Sequence, residues 1–190
     1  MNEIELIRGQ LQVERERAQA IAAACTAALA QAAPAALSSA SPLEQFRQAC
    51  VDYLVCVLAS FEERDRRLAN LLDQYDPHNP RRDALDAALT GPGRSRDALE
   101  RLEAAFAATT AGAGKWQEFA RYVSGPWGAR REALEALLAA GARTGEWRTV
   151  GGIDADAMLE ERSRFARVNA TLPSGLILAA ARRPRAASGA

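Results

Sequence analysis

The stretch that decides the fold is Ser41-Pro42-Leu43-Glu44-Gln45-Phe46-Arg47-Gln48-Ala49-Cys50-Val51-Asp52-Tyr53-Leu54-Val55-Cys56-Val57-Leu58. It opens as an α-helix N-terminus. The Ser41 hydroxyl can accept from the Glu44 N–H, and the Glu44 carboxylate can reach back to the Ser41 N–H. Pro42 has no N–H to lose and suits the first helical position. Leu43, Phe46, Cys50, Tyr53 and Val57 then follow at alternating three- and four-residue steps, which lines them along one seam and predicts packing in a helical bundle. From Val51 to Leu58 the text is apolar almost all round, so this helix is expected to be the most buried element. It runs on through Phe61-Glu62-Glu63-Arg64-Asp65 and ends near Gln74.

The text on either side is of the same kind. Ala, Leu, Glu and Arg, all strong helix formers, dominate it, and no stretch sustains the alternation of a strand. A first helix is expected from about Glu3 to Gln31, with Ile4, Leu11, Ile21, Cys25 and Leu29 on its apolar side and Glu14-Arg15-Glu16-Arg17 as a solvated stretch; Pro34 ends it. Tyr75 to Pro80 is a turn cluster, and a short helix follows through Leu89 until Gly91-Pro92-Gly93. Ser95 is expected to cap a helix carrying Leu99, Leu102 and Phe106. Thr109 to Gly114 reads as a loop. Helix resumes from Trp116 to Ala140 with a break or kink at Gly125-Pro126, and Gly141 is a stop. A last helix spans about Asp154 to Thr171, with Met158, Leu159, Phe165 and Val168 inward.

The expected architecture is therefore all-α: a four-helix-bundle-like single domain over residues 1–173 with extra short helices, followed by a basic tail, 174–190, expected to be disordered. With 190 residues and 48% hydrophobic content the chain can build its own core.

Charge and chemistry exclude more than they assign. Lys+Arg and Asp+Glu are equal at 24, so no net field draws the chain to nucleic acid or anionic lipid, and the three tail arginines Arg182, Arg183 and Arg185 add little. The longest apolar run, Val51 to Phe61, is far short of the roughly 20 residues of a membrane span, and Met1-Asn2-Glu3-Ile4-Glu5 is not a signal peptide; the expected compartment is the cytoplasm. Cys25, Cys50 and Cys56 form no CxxC pair and are expected to be core residues in a reducing environment. His78 is the only histidine and lies in the turn cluster, so no metal and no cofactor are expected. There is no nucleophile elbow and no phosphate-binding loop.

Two features point to function. Asp52 is a carboxylate between Val51 and Tyr53 in the most apolar helix: either an ion paired with an arginine of the first or last helix, or a charge shown to solvent or a partner. Of the three tryptophans, Trp116, Trp127 and Trp147, the last two follow chain breaks and are the candidates for lining a ligand groove.

Two segments resemble known families. Phe46-Arg47-Gln48-Ala49-Cys50-Val51-Asp52-Tyr53-Leu54, with Glu63-Arg64 downstream, resembles the second helix of the regulator of sigma D (AlgQ-like) family, with Val57-Leu58-Ala59 where that family has Gly-His-Phe. The resemblance implies a four-helix protein that binds the main sigma factor of bacterial RNA polymerase, with Asp52 and Tyr53 on the contact surface. Arg131 to Arg148, containing Leu137-Leu138 and Gly141 through Gly145-Glu146-Trp147-Arg148, resembles the ligand-binding half of TetR-type regulators. The helix-turn-helix of those regulators has no counterpart in Glu3–Gln31, so only small-molecule binding is implied. The leading expectation is a non-enzymatic, regulatory helical protein that binds another protein in transcription or assembly. An apolar small-molecule-binding domain and an enzyme of unrecognised type stay as alternatives, and a homo-oligomer stays open.

Overall fold

A computed structural model describes residues 3–31, 41–74, 81–108, 112–140, 144–152 and 154–178. They form helices α1 (Glu3–Gln31), α2 (Pro42–Gln74), α3 (Arg82–Thr90), α4 (Ser95–Ala107), α5 (Gly112–Tyr122), α6 (Gly128–Ala139), α7 (Thr144–Gly151) and α8 (Ala155–Thr171), with a π-helical turn, Val123–Trp127, joining α5 to α6. No strand occurs among the described residues, and the fold is all-α.

The start of α2 is where the sequence puts it, but only half of the capping box forms. The Glu44 N–H donates to the Ser41 hydroxyl at 3.1 Å. The Glu44 carboxylate turns to Arg47 instead, at 2.7 and 2.8 Å, because a guanidinium one turn on offers two charge-assisted bonds against one from an amide. Phe46, Cys50, Tyr53 and Val57 are buried along the seam and Leu43 packs at its edge. The helix is less uniformly covered than its composition suggests: Val55 is 42% exposed. α2 is the central element, in contact with α1, α3, α4, α7 and α8. α1 runs antiparallel to it, since Glu14 meets Arg64 while Arg17, further along α1, shares Glu161 with Tyr53, which comes earlier on α2.

The break or kink expected at Gly125-Pro126 is a widened turn inside one continuous helical stretch. Pro126 has no N–H to give, and the π turn lets the chain pass it. The Val123 carbonyl is satisfied by the Gly128 N–H and by Gln19 Nε2 of α1. Gly93 is held at φ +88° directly against the Pro126 carbonyl, where any Cβ would collide with backbone. Ser95 does not cap α4; Arg94 holds that position, and the Ser95 hydroxyl, fully buried, accepts from Trp127 Nε1 at 3.0 Å. α8 is capped by Asp154, whose carboxylate accepts from the Asp156 N–H. Leu159, expected inward, is 62% exposed, whereas Val168 is fully buried and Phe165 packs on the core. Leu178 is buried too, beyond the expected boundary at residue 173. Residues 75–80 with His78, and 179–190 with Arg182, Arg183 and Arg185, lie outside the described residues.

Candidate functional site

Asp52 sits where α2 passes α8. Its side chain is 30% exposed, between the two expectations for it. Gln48 Nε2 donates to one carboxylate oxygen at 2.8 Å and Arg167 Nη1 to the other at 3.3 Å. Arg164 of α8 donates to the Asp52 carbonyl at 3.1 Å. Gln48 and Arg167 also line a surface groove of about 440 Å³ with Glu44, Gln45 and Thr171. The groove is lined by polar side chains, its one carboxylate, Glu44, is held by Arg47, and Arg167 is 65% exposed.

Tyr53, one residue on, faces the other way. It is fully buried, its ring 5.8 Å from that of Phe165 and its hydroxyl donating to Glu161 at 2.7 Å. Arg17 Nη1 donates to both Glu161 oxygens at 2.8 Å and lies 4.1 Å over the Phe165 ring. Burial first, then the charge of Glu161, holds the Tyr53 hydroxyl well above the usual phenol range, so it stays a donor. It offers no surface to a partner in this structure.

Of the stretch Glu14–Arg17, expected to be solvated, Glu14 and Arg15 are in fact part of the interior and Glu16 and Arg17 are partly covered. Glu14 and Arg15 are 5% and 8% exposed. Glu14 accepts from Arg64 at 2.6 Å. Arg15 donates to Glu135 at 3.2 and 3.4 Å and to Glu132 at 2.7 Å. Asp65 accepts both terminal nitrogens of Arg131, at 2.7 and 2.6 Å, and Arg130 at 3.2 Å. Arg130 also donates to the Gly91 and Leu89 carbonyls at the end of α3. The guanidiniums of Arg64 and Arg131 lie over the Phe61 ring, which meets Trp127 edge-on at 5.3 Å. The layer joins α1, α2 and α6 by paired, hydrogen-bonded charge, the form in which buried ions are tolerated.

Trp127 is fully buried in that packing rather than lining a groove. The side chain of Trp147 lies outside the described residues. A cavity bounded by Leu11, Phe61, Arg64, Arg131, Leu134 and Val150 has a volume of about 20 Å³. That is room for about one water, against the roughly 300 Å³ and more of ordinary ligand pockets. Burial pushes the Cys50 and Cys56 thiols up, the opposite of an activated nucleophile. Among the described residues no cluster of three His, Cys, Asp or Glu side chains could hold a metal, and no helix is long and apolar enough to cross a membrane. Comparison with protein-family models, with curated proteins and with solved structures returns no match to this chain.

Proposed function

We propose that the chain is a non-enzymatic helical protein that binds another protein through the α2–α8 face, with Asp52 as the charge it presents. The observation that carries this is the setting of Asp52: half-exposed, oriented by Gln48 and Arg167, at the edge of a polar groove. A charge fixed in place before contact loses little side-chain entropy on binding and selects its partner electrostatically. The likeness of Phe46–Leu54 to the regulator of sigma D family makes a transcription factor subunit the first partner to try. Binding of an apolar ligand near Trp127 has little support in this packing, given the buried indole and the size of the cavity.

The test is a binding measurement on the full chain with Asp52→Arg, Arg167→Asp and the double exchange, first against purified principal sigma factor and then against partners recovered from lysate. All three variants should melt close to the parent. A stoichiometric complex that is weakened at least tenfold by Asp52→Arg, and not restored by the exchange, is the expected result. A complex insensitive to all three changes, or a turnover activity with no partner, overturns the proposal.

A further inference from the structure

The buried charge layer does not balance. Among the described residues it holds four buried arginines, Arg15, Arg64, Arg130 and Arg131, against three buried carboxylates, Glu14, Asp65 and Glu135. The fourth carboxylate in reach, Glu132, has a side chain 64% exposed, so the interior keeps an excess of positive charge. The hydrogen bonds carry the same surplus. Arg64 gives Nη1 to Glu14, and Arg131 gives both terminal nitrogens to Asp65. The Nε–H of each is buried with no partner among the described residues, as is that of Arg130. An unmet buried donor on a charged group is costly. Arg64 and Arg131 both border the cavity of about 20 Å³, whose apolar walls include Phe61, Leu134 and Val150. Their guanidiniums lie 4.8 and 5.2 Å from the centre of the same Phe61 ring, so two like charges are held close together. Gly151 closes the cavity on one side, and a Cβ on the next residue, Gly152, would stand 3.3 Å from Arg64 Nε. Asp65 and Glu135 line the cavity too, but their oxygens are taken by Arg130, Arg131 and Arg15.

We propose that Arg64 and Arg131 hold a small monovalent anion of halide size, chloride being the common one, in this cavity. The two side chains offer N–H groups and positive charge, which a guest that only accepts hydrogen bonds matches. Water, itself two donors, would leave the surplus charge in place. A bare halide is only slightly larger than water, whereas phosphate, sulfate and carboxylates are too large for a cavity of this size. An anion between the two guanidiniums relieves their repulsion and restores the charge balance that a buried layer needs. It also ties α2 and α6 to the end of α7 at Val150 and Gly151. A ligand that binds only the folded chain raises its stability by mass action, so the fold should respond to halide concentration.

The experiment is thermal melting of the full chain in sodium chloride and in sodium gluconate at equal ionic strength, where surface charge is screened alike and only the halide fits the cavity. The expected result is a melting temperature several degrees higher in chloride, rising with the logarithm of its concentration. Val150→Ile adds one methylene to the cavity wall and should erase the difference between the salts. Crystals of the parent chain grown in sodium bromide should show an anomalous peak between Arg64 and Arg131. Should Val150→Ile fail to fold, the melting of the parent and the bromide map decide. Equal melting in the two salts overturns the proposal. So does a chloride advantage that survives Val150→Ile, or a bromide map with no peak in the cavity.

Discussion

Asp52 and Tyr53 are neighbours in sequence and opposites in environment, because a helix turns about 100° between successive residues. The turn puts Asp52 on the rim beside Arg167 and Tyr53 in the interior on Glu161. A single substitution at each separates the roles. Asp52→Asn keeps the shape and the Gln48 bond and loses an exposed pair, so the urea midpoint should move by about 1 kcal/mol or less. A loss of several kcal/mol would show that Asp52 is an interior ion and would remove it as a contact residue. Tyr53→Phe removes a donor to a buried carboxylate that keeps both Arg17 contacts. The same measurement should show a cost of about 1–3 kcal/mol. An unchanged midpoint would mean that the hydroxyl is replaceable by water. The sequence made Asp52 conspicuous, since a charge stood out in apolar text. Tyr53 gave no such warning: a tyrosine suits a rim and a core alike, and its partner Glu161 is far along the chain.

At the scale of the element, capping and seams decide what was legible. The start of α2 was readable because a local pattern fixes it, although the Ser41 hydroxyl alone performs the cap. Ser41→Ala should therefore cost about 1 kcal/mol, measured as a fall in denaturation midpoint. No change would assign the helix start to Pro42 alone. Helix boundaries around Gly and Pro were also legible, but their geometry was not. Gly125-Pro126 reads equally as a break or as a π turn until Gln19 of α1 arrives to satisfy the Val123 carbonyl. The buried charges left a signal that composition hides. On α2 the inward steps run Val57, Phe61, Arg64-Asp65, Leu68, Leu72; on α1 they run Leu11, Glu14-Arg15, Ala18, Ile21; from the π turn into α6 they run Trp127, Arg130-Arg131, Leu134-Glu135, Leu138. On α1 and α2 the apolar period is interrupted once, by two adjacent charges; on α6 the pair is followed by a third buried charge, Glu135 beside Leu134. A charge that keeps the period of a seam belongs to the seam. Judged by local charge density alone, Glu14–Arg17 looked like surface.

For the molecule as a whole, those three interruptions coincide in one layer, and their strengths are unequal. Asp65 is the carboxylate that holds Arg130 and Arg131, so Asp65→Asn leaves two buried guanidiniums with diminished compensation and should cost about 3–5 kcal/mol. Glu135 differs. Its partner Arg15 also bonds the largely exposed Glu132, and burial, outweighing Arg15, raises the Glu135 carboxyl above its ordinary 4.5. A carboxyl whose pKa is higher folded than unfolded binds its proton more tightly in the folded state. The stability this contributes is complete below the unfolded value and is lost as pH rises through the folded one. Glu135→Gln is neutral at every pH and does not take part in that loss. Denaturation midpoints of parent and variant, followed from acid to neutral pH, should therefore diverge in the variant's favour as pH rises through the window just above 4.5, then run parallel. The loss of charge-assisted bonds to Arg15 sets a constant offset and not the slope. A difference that moves against the variant over the same window would mean that Arg15 outweighs burial at this site. Glu135 would then join Asp65 as a carboxylate on which the layer depends.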